Sequence, residues 1–165
     1  AGLVALVRSG AIGPDETAPE LEARLLGEGA RMLVATLEAL VAGRLRGEPQ
    51  DHAAATHARK MTKDDGQLDW TQPAAVLARR IRAFQPWPGQ ATRTPRGLLK
   101  VWQARVEPAT GTPGTVLDVS REGPLVAVAE GALRLLVVQP EGKPRMAAAD
   151  YARGARLAAG EGWGR

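Results

Sequence analysis

Lys60 and Lys63, with the carboxylates Asp64, Asp65 and Asp69 just after them, are the residues whose types and spacing first suggest chemistry. Carboxylates this close could form an acid/base cluster. Gly66 sits among them, however, and Asp side chains beside a glycine turn commonly bond their own backbone. Turn capping and linker contacts are therefore their expected roles. His52 and His57 are the only histidines, with no Cys or tight carboxylate cluster beside them, so a metal site lacks its further ligands. Neither common glycine-rich phosphate loop is present. No nucleophile, base and orienting group can be assembled into a site, so the segment is expected to be non-catalytic.

What remains is positive charge. The 165 residues carry a net charge of +4, unevenly distributed. Residues 1–70 hold 8 Lys/Arg against 11 Asp/Glu, whereas residues 71–165 hold 14 against 7. A basic C-terminal half can face a polyanion. Lys60 and Lys63 flank a turn, Arg79 and Arg82 lie on the polar side of a helix, and Lys143-Pro144-Arg145 tops a loop. Phosphate contacts need only charge and reach, so these residues could position a nucleic acid without reading its sequence. On charge alone, an ordinary solvated surface explains them as well. Trp70, Trp87 and Trp102 are expected in core or interdomain packing, and Trp163 in the tail is uninformative.

The elements that would carry these residues follow from pattern. Leu3–Arg8 reads as a short apolar strand ended by Ser9-Gly10. Thr17-Ala18-Pro19-Glu20 has the form of a capping box opening a helix. Gly27 and Gly29 are expected to break that helix before a second one, which closes at Gly43. From Arg44 to Asp69 neither helix nor strand period holds, and an unstructured stretch of that length belongs between domains. Thr71 is expected to cap a helix over residues 73–84, with Trp70 as its staple. Strand-like runs follow at Gln90–Thr94, Leu98–Val106, Gly114–Val119, Leu125–Ala129 and Leu133–Val138, spaced as in a small barrel. Residues 146–157 read as a final helix and 160–165 as a frayed tail.

Composition adds exclusions. Nineteen Gly and twelve Pro argue against a helical bundle, and the absence of Cys excludes disulfides and thiol catalysis. A reducing cytoplasm fits that usage. No apolar run approaches a membrane span, and the first residues lack a basic leader and cleavage pattern. The chain also starts without Met, which is read as a cut point.

Two blocks carry a resemblance: Lys60-Met61-Thr62-Lys63-Asp64-Asp65-Gly66-Gln67-Leu68-Asp69-Trp70, and Ile81-Arg82-Ala83-Phe84-Gln85-Pro86-Trp87-Pro88-Gly89. They resemble the K-x-x-K…D-W and I-R-A-x-x-P-W-P-G elements of methionyl-tRNA formyltransferases. Ile12-Gly13-Pro14-Asp15-Glu16-Thr17-Ala18, Pro49-Gln50, Thr56-His57-Ala58-Arg59-Lys60, Leu99-Lys100-Val101-Trp102, Pro113-Gly114-Thr115-Val116, Gln139-Pro140, Gly142-Lys143, Met146 and Arg153-Gly154 continue it in order. His57 stands where the family usually has Tyr, and Gln85 where Asn is common.

The resemblance implies an α+β chain in three parts. Residues 1–43 would be a remnant of a Rossmann-like formyltransferase domain, 44–69 an interdomain linker, and 70–165 an OB-like β-barrel with flanking helices. The family transfers a formyl group from 10-formyltetrahydrofolate to methionyl initiator tRNA. Its catalytic Asn, His and Asp lie upstream of the segment matched by Ala1-Gly2-Leu3, so no catalytic residue and no cofactor is expected in this segment. Initiator tRNA is the implied partner, and a cytoplasmic monomer with no membrane contact the implied state. The residues expected to face tRNA are Lys60, Lys63, Arg79, Arg82, Lys100, Lys143 and Arg145, with Arg82 open to an interdomain role instead. Two other readings stay open: a standalone RNA-binding barrel without chemistry, and a related enzyme acting on formyl-folate or sugar amines.

Overall fold

A computed structural model describes residues 3–164, which form two compact units, Ala1–Lys60 and Met61–Arg165. The architecture is α+β: three α-helices and an antiparallel sheet, with one small strand pair besides.

In the first unit, β1 (Leu3–Val4) pairs antiparallel with β2 (Glu48–Pro49). The strand expected over Leu3–Arg8 is thus two residues long, and its partner lies in the stretch expected to be unstructured. Helix α1 spans Ala18–Val41 without interruption, so Gly27 and Gly29 do not split it. Glycine disfavours a helix by about 1 kcal/mol but keeps its N–H, and only proline removes the donor and clashes. The start behaves as its sequence suggests: the Glu20 carboxylate accepts the Thr17 N–H at 2.8 Å and its hydroxyl at 2.7 Å. Arg24 binds both oxygens of Glu16, at 2.8 and 2.9 Å, and the Ala11 carbonyl at 3.0 Å, holding the preceding loop on the helix. The Arg24 hydrogen bonds lower the Glu16 pKa to about 2, with the Gly13 N–H adding to the effect. At the other end Gly43, left-handed at φ +66°, donates to Leu40 O while Arg44 N–H reaches Ala39 O. That is the Schellman closure expected of a glycine after a helix. No residue of α1 is buried, and Leu25, Leu26, Leu33, Val34, Leu37, Leu40 and Val41 are exposed.

The second unit opens with a 3₁₀ turn at Lys63–Gly66, then α2 (Ala74–Ala83). Thr71 does not cap α2: its hydroxyl donates to Asp69 Oδ1 at 2.7 Å, and the helix begins after Pro73. Strands β3 (Gln90–Thr94), β4 (Gly97–Glu107), β5 (Val116–Ser120), β6 (Gly123–Ala127) and β7 (Ala132–Pro140) follow. They pair in the order β3-β4-β7-β6-β5, and β8 (Met146–Ala147) adds to β7 before α3 (Ala148–Gly154). The helix expected from Met146 therefore starts two residues later. Leu77 and Ile81 of α2 pack in one core with Leu99, Val101, Leu133, Leu135 and Val138. Gly123 shows why one turn needs glycine: at φ +127°, an added Cβ would lie 2.2 Å from Leu135 O.

Strands β3 and β5 do not pair with each other, so the sheet is open. Residues 160–164 lie along both of its edges. Gly160 and Trp163 N–H donate to Val116 and Gly114 carbonyls, and Gly164 N–H donates to Arg93 O at 2.9 Å. Trp163 is 3% exposed, its ring 6.3 Å from that of Trp70. The expectation of a frayed tail is wrong over Gly160–Gly164, because an apolar ring and sheet-edge hydrogen bonds anchor it. Trp70 finds its aromatic partner there, shares the buried core with Ala74 and Leu77 of α2, and donates its indole N–H to Thr92 Oγ1 at 3.0 Å. Arg134, on β7, is only 7% exposed. Its guanidinium donates to Glu107, Asp118, Ser120 and the Gly123 carbonyl, which satisfies a charge that would otherwise be costly to bury.

Candidate nucleic-acid interface

Two of the three aspartates around Gly66, Asp65 and Asp69, are occupied structurally. Asp65 Oδ2 accepts the Thr62 N–H at 2.7 Å, and the Asp65 carbonyl accepts Arg80 Nη2 and Gln90 Nε2. Asp69 accepts the Thr71 N–H and hydroxyl and the Gln72 amide. These bonds, the Thr71 hydroxyl foremost, hold the Asp69 carboxyl below its usual range. Among the described residues no group of His, Asp and Glu could hold a metal ion. Arg80, which projects near the apolar face of α2, resolves its position through that carbonyl and by lying over the Phe84 ring at 5.2 Å.

Pairing then sorts the cations. Arg96 is bound by Glu161, Arg105 by Glu107 and Glu122, Arg134 by Glu107 and Asp118, and Arg153 by Asp150. Among the described residues, Lys60, Lys63, Arg79, Arg82, Arg93, Lys100, Lys143 and Arg145 form no ion pair. All seven residues singled out from sequence belong to that second set.

Three of the seven converge on one face of the sheet. Antiparallel partners share a face, and the register sets Lys100 beside Ala91 on β3 and Gln139 on β7, with Arg93 opposite Leu98. The Trp102 indole donates to Gln139 Oε1 at 3.0 Å, and Gln139 Nε2 donates to Lys143 O at 2.8 Å. The Arg145 guanidinium lies on the Trp102 ring, 3.3 Å from its centroid. Such a cation–π contact holds the guanidinium flat while its N–H edge stays available to an anion. Behind the ring, Gln85 Nε2 donates to the Trp102 carbonyl at 2.9 Å and to Ile81 O at 3.0 Å, linking the Pro-Trp-Pro-Gly segment to β4. Arg145 thus lies on one buried tryptophan, with Lys100 across the ladder from Gln139 and Lys143 bound to Gln139 through its carbonyl.

The other residues are placed differently. Arg79 is exposed and Arg82 half-buried on α2. Lys63 opens the 3₁₀ turn of the second unit, while Lys60 is the last residue of the first. Trp87 is 54% exposed in the second unit and outside its core. Arg93 was missed from sequence, although its signal was available: in a period-2 strand it alternates with Thr92, which is buried. The supporting roles of Gln139 and Gln85 had no local signal.

An open antiparallel sheet with residues of two helices, α2 and α3, in its core makes the second unit a small α+β module. Its family is specific. The profile described as formyl transferase, C-terminal domain, matches residues 60–156, and the chain belongs to that family. It is 43% identical over 163 residues to the methionyl-tRNA formyltransferase of Roseiflexus sp. (strain RS-1), covering 97% of this chain and 50% of that protein. The methionyl-tRNA formyltransferase of Solibacter usitatus (strain Ellin6076) is 47% identical over 163 residues, covering 97% and 51%. The chain spans about half the length of the curated relatives it matches. Among solved structures, a variant of HypX from Aquifex aeolicus shares the fold, with a TM-score of 0.68 and 21% identity over 92% of this chain and 28% of that one. HypX in complex with tetrahydrofolic acid gives a TM-score of 0.58 over 78% and 23%. No helix among the described residues is long and apolar enough to cross a membrane.

Proposed function

We propose that this chain is the tRNA-positioning part of a methionyl-tRNA formyltransferase, an enzyme moving a formyl group from 10-formyltetrahydrofolate to methionyl initiator tRNA. The observation that carries this reading is the unpaired basic face around Trp102. Among the described residues Lys100, Lys143 and Arg145 form no ion pair, which leaves their charge for phosphate contacts. Lys60, Lys63, Arg79 and Arg82 extend the same role. The similarity to methionyl-tRNA formyltransferases along nearly the whole chain supports the choice of tRNA over other polyanions.

In this reading the second unit is an OB-like domain. The open sheet with β7 inserted between β4 and β6 is consistent with a partly open Greek-key barrel. The first unit is a remnant of the formyltransferase domain, and the exposed Leu stripe of α1 supports it, since a helix face of that kind is normally packed. Formyl transfer, folate binding and a cytoplasmic setting belong to the whole enzyme. The chain alone is expected to show no turnover.

Anisotropy of labelled initiator tRNA, titrated with the chain at several salt concentrations, tests the reading. Affinity should fall steeply with salt, and each phosphate contact removed should reduce the log–log slope by about 0.7–0.9. Lys100→Ala with Arg145→Ala should therefore flatten it by somewhat under 2 on the same estimate. Absence of binding at low salt, or binding indifferent to salt, would overturn the proposal.

A further inference from the structure

A second set of unpaired arginines lies outside that face. An open groove of about 810 Å³ runs between the end of β5 and α3, floored by Val119, Ala152 and Leu157 and rimmed by Arg121, Arg153 and Arg156. Arg121 occupies the two-residue turn between β5 and β6, where Ser120 pairs with Gly123. Among the described residues neither Arg121 nor Arg156 has an ion pair or side-chain hydrogen bond. The nearby carboxylates are engaged elsewhere: Glu122 with Arg105, Asp118 with Arg134, and Asp150 with Arg153. Arg153 is neutralised by Asp150, which leaves Arg121 and Arg156 as the two guanidinium groups of the rim without counter-charge.

Arg156 adds an independent observation. Its φ is +50°, and it is the one non-glycine residue with positive φ among those described; nine glycines occupy the other such positions. It sits just past α3, where its N–H donates to Arg153 O and Leu157 N–H donates to Ala152 O. Those two bonds form the same Schellman closure that α1 makes with Gly43. Any side chain strains the backbone at this position, and glycine relieves it. An arginine is therefore kept against local stability, on the rim of an arginine-lined groove. Conformational strain of that kind collects where a side chain has a task.

We propose that this groove is a phosphate-binding site of nucleotide size, with Arg121 and Arg156 holding the phosphate and the Val119, Ala152 and Leu157 floor taking the sugar or base. The charged, planar forks suit phosphate oxygens. A free nucleotide and a nucleotide within an RNA strand present the same chemistry. The site is separate from the Trp102 face and does not depend on it.

The test is an NMR titration of the full chain with adenosine 5′-monophosphate in one arm and a short single-stranded RNA in the other. Shifts should concentrate at residues 119–121 and 149–157. Saturation by the mononucleotide assigns a free-nucleotide site, and a response to RNA alone assigns a strand-backbone site; both support the proposal. Arg156→Gly should raise the melting temperature and weaken binding about tenfold or more, since a hydrogen bond between charged groups is lost. Arg121→Gln should weaken binding alike without the stability gain. Lys100→Ala with Arg145→Ala should leave mononucleotide binding unchanged, which separates this site from the tRNA-facing surface. No shifts with either probe, or Arg156→Gly binding as the parent does, would overturn it.

Discussion

Trp163→Ala tests whether the C-terminal residues hold the basic module together. The ring is 3% exposed, packs on Trp70, and donates its indole N–H to Glu161 Oε1 at 2.9 Å. Glu161 in turn binds Arg96 at 2.7 Å, and its neighbours bond strands at both open sheet edges. A buried Trp removes roughly 150–250 Å² from water, worth about 4–6 kcal/mol at ~25 cal/mol per Å². Measured truncations of buried Phe or Trp to Ala cost about 3–5 kcal/mol, so the two scales agree. At about 4–8 °C per kcal/mol for a domain near this size, the melting temperature should fall by more than about 10 °C. All four tryptophans, at 70, 87, 102 and 163, lie in the second unit, so their fluorescence during heating follows that unit alone. Trp87→Ala, at a ring 54% exposed, is the matched control and should change stability by only about 0.5 kcal/mol. A Trp163→Ala shift under about 4 °C, near 1 kcal/mol or less, would refute the anchoring role.

Other outcomes follow from the same packing. Gly123→Ala should prevent stable folding of the second unit, because its Cβ would strike Leu135 O and φ +127° is closed to alanine; expression with soluble recovery and circular dichroism checks this. Arg134→Met should destabilise the unit by about 1–3 kcal/mol in urea unfolding, since the Gly123 carbonyl and the Glu107 and Asp118 carboxylates lose their shared donor. For pH, hydrogen bonds from Arg134 and then Arg105 depress the Glu107 pKa. At Glu161 burial opposes ionisation, but the Arg96 and Trp163 bonds outweigh it and the pKa is lowered. Depressed carboxylates contribute stability above their unfolded pKa that is lost as pH falls through the folded value. The melting temperature should therefore drop below about pH 4, and a flat profile from pH 6 to about pH 3 would contradict those pairings.

How much of this was legible in the sequence depends on whether the determinant was local. The strands at Gln90–Thr94 and Leu133–Val138 and the turn glycines between them are written in two-residue alternation and backbone conformation, both properties of neighbouring residues. So are the Thr17–Glu20 start and Gly43 end of α1, and the order of the family motifs. The candidate cations Lys100, Lys143 and Arg145 were visible as residues, but not their convergence on Trp102, which requires β7 to lie beside β4.

Tertiary structure alone decided which tryptophan carries stability. The conspicuous Pro-Trp-Pro-Gly motif leaves Trp87 exposed, while Trp163, in a glycine-rich tail, fills the gap between sheet edges. It also decided which cations are neutralised: Arg134 and Arg96 meet carboxylates far away in sequence, and Arg145 does not. Periodicity and turn chemistry act over a few residues, so sequence determined the elements and the family. Burial and ion pairing depend on partners brought together by the fold, so only the fold separated a structural arginine from one free to hold a phosphate.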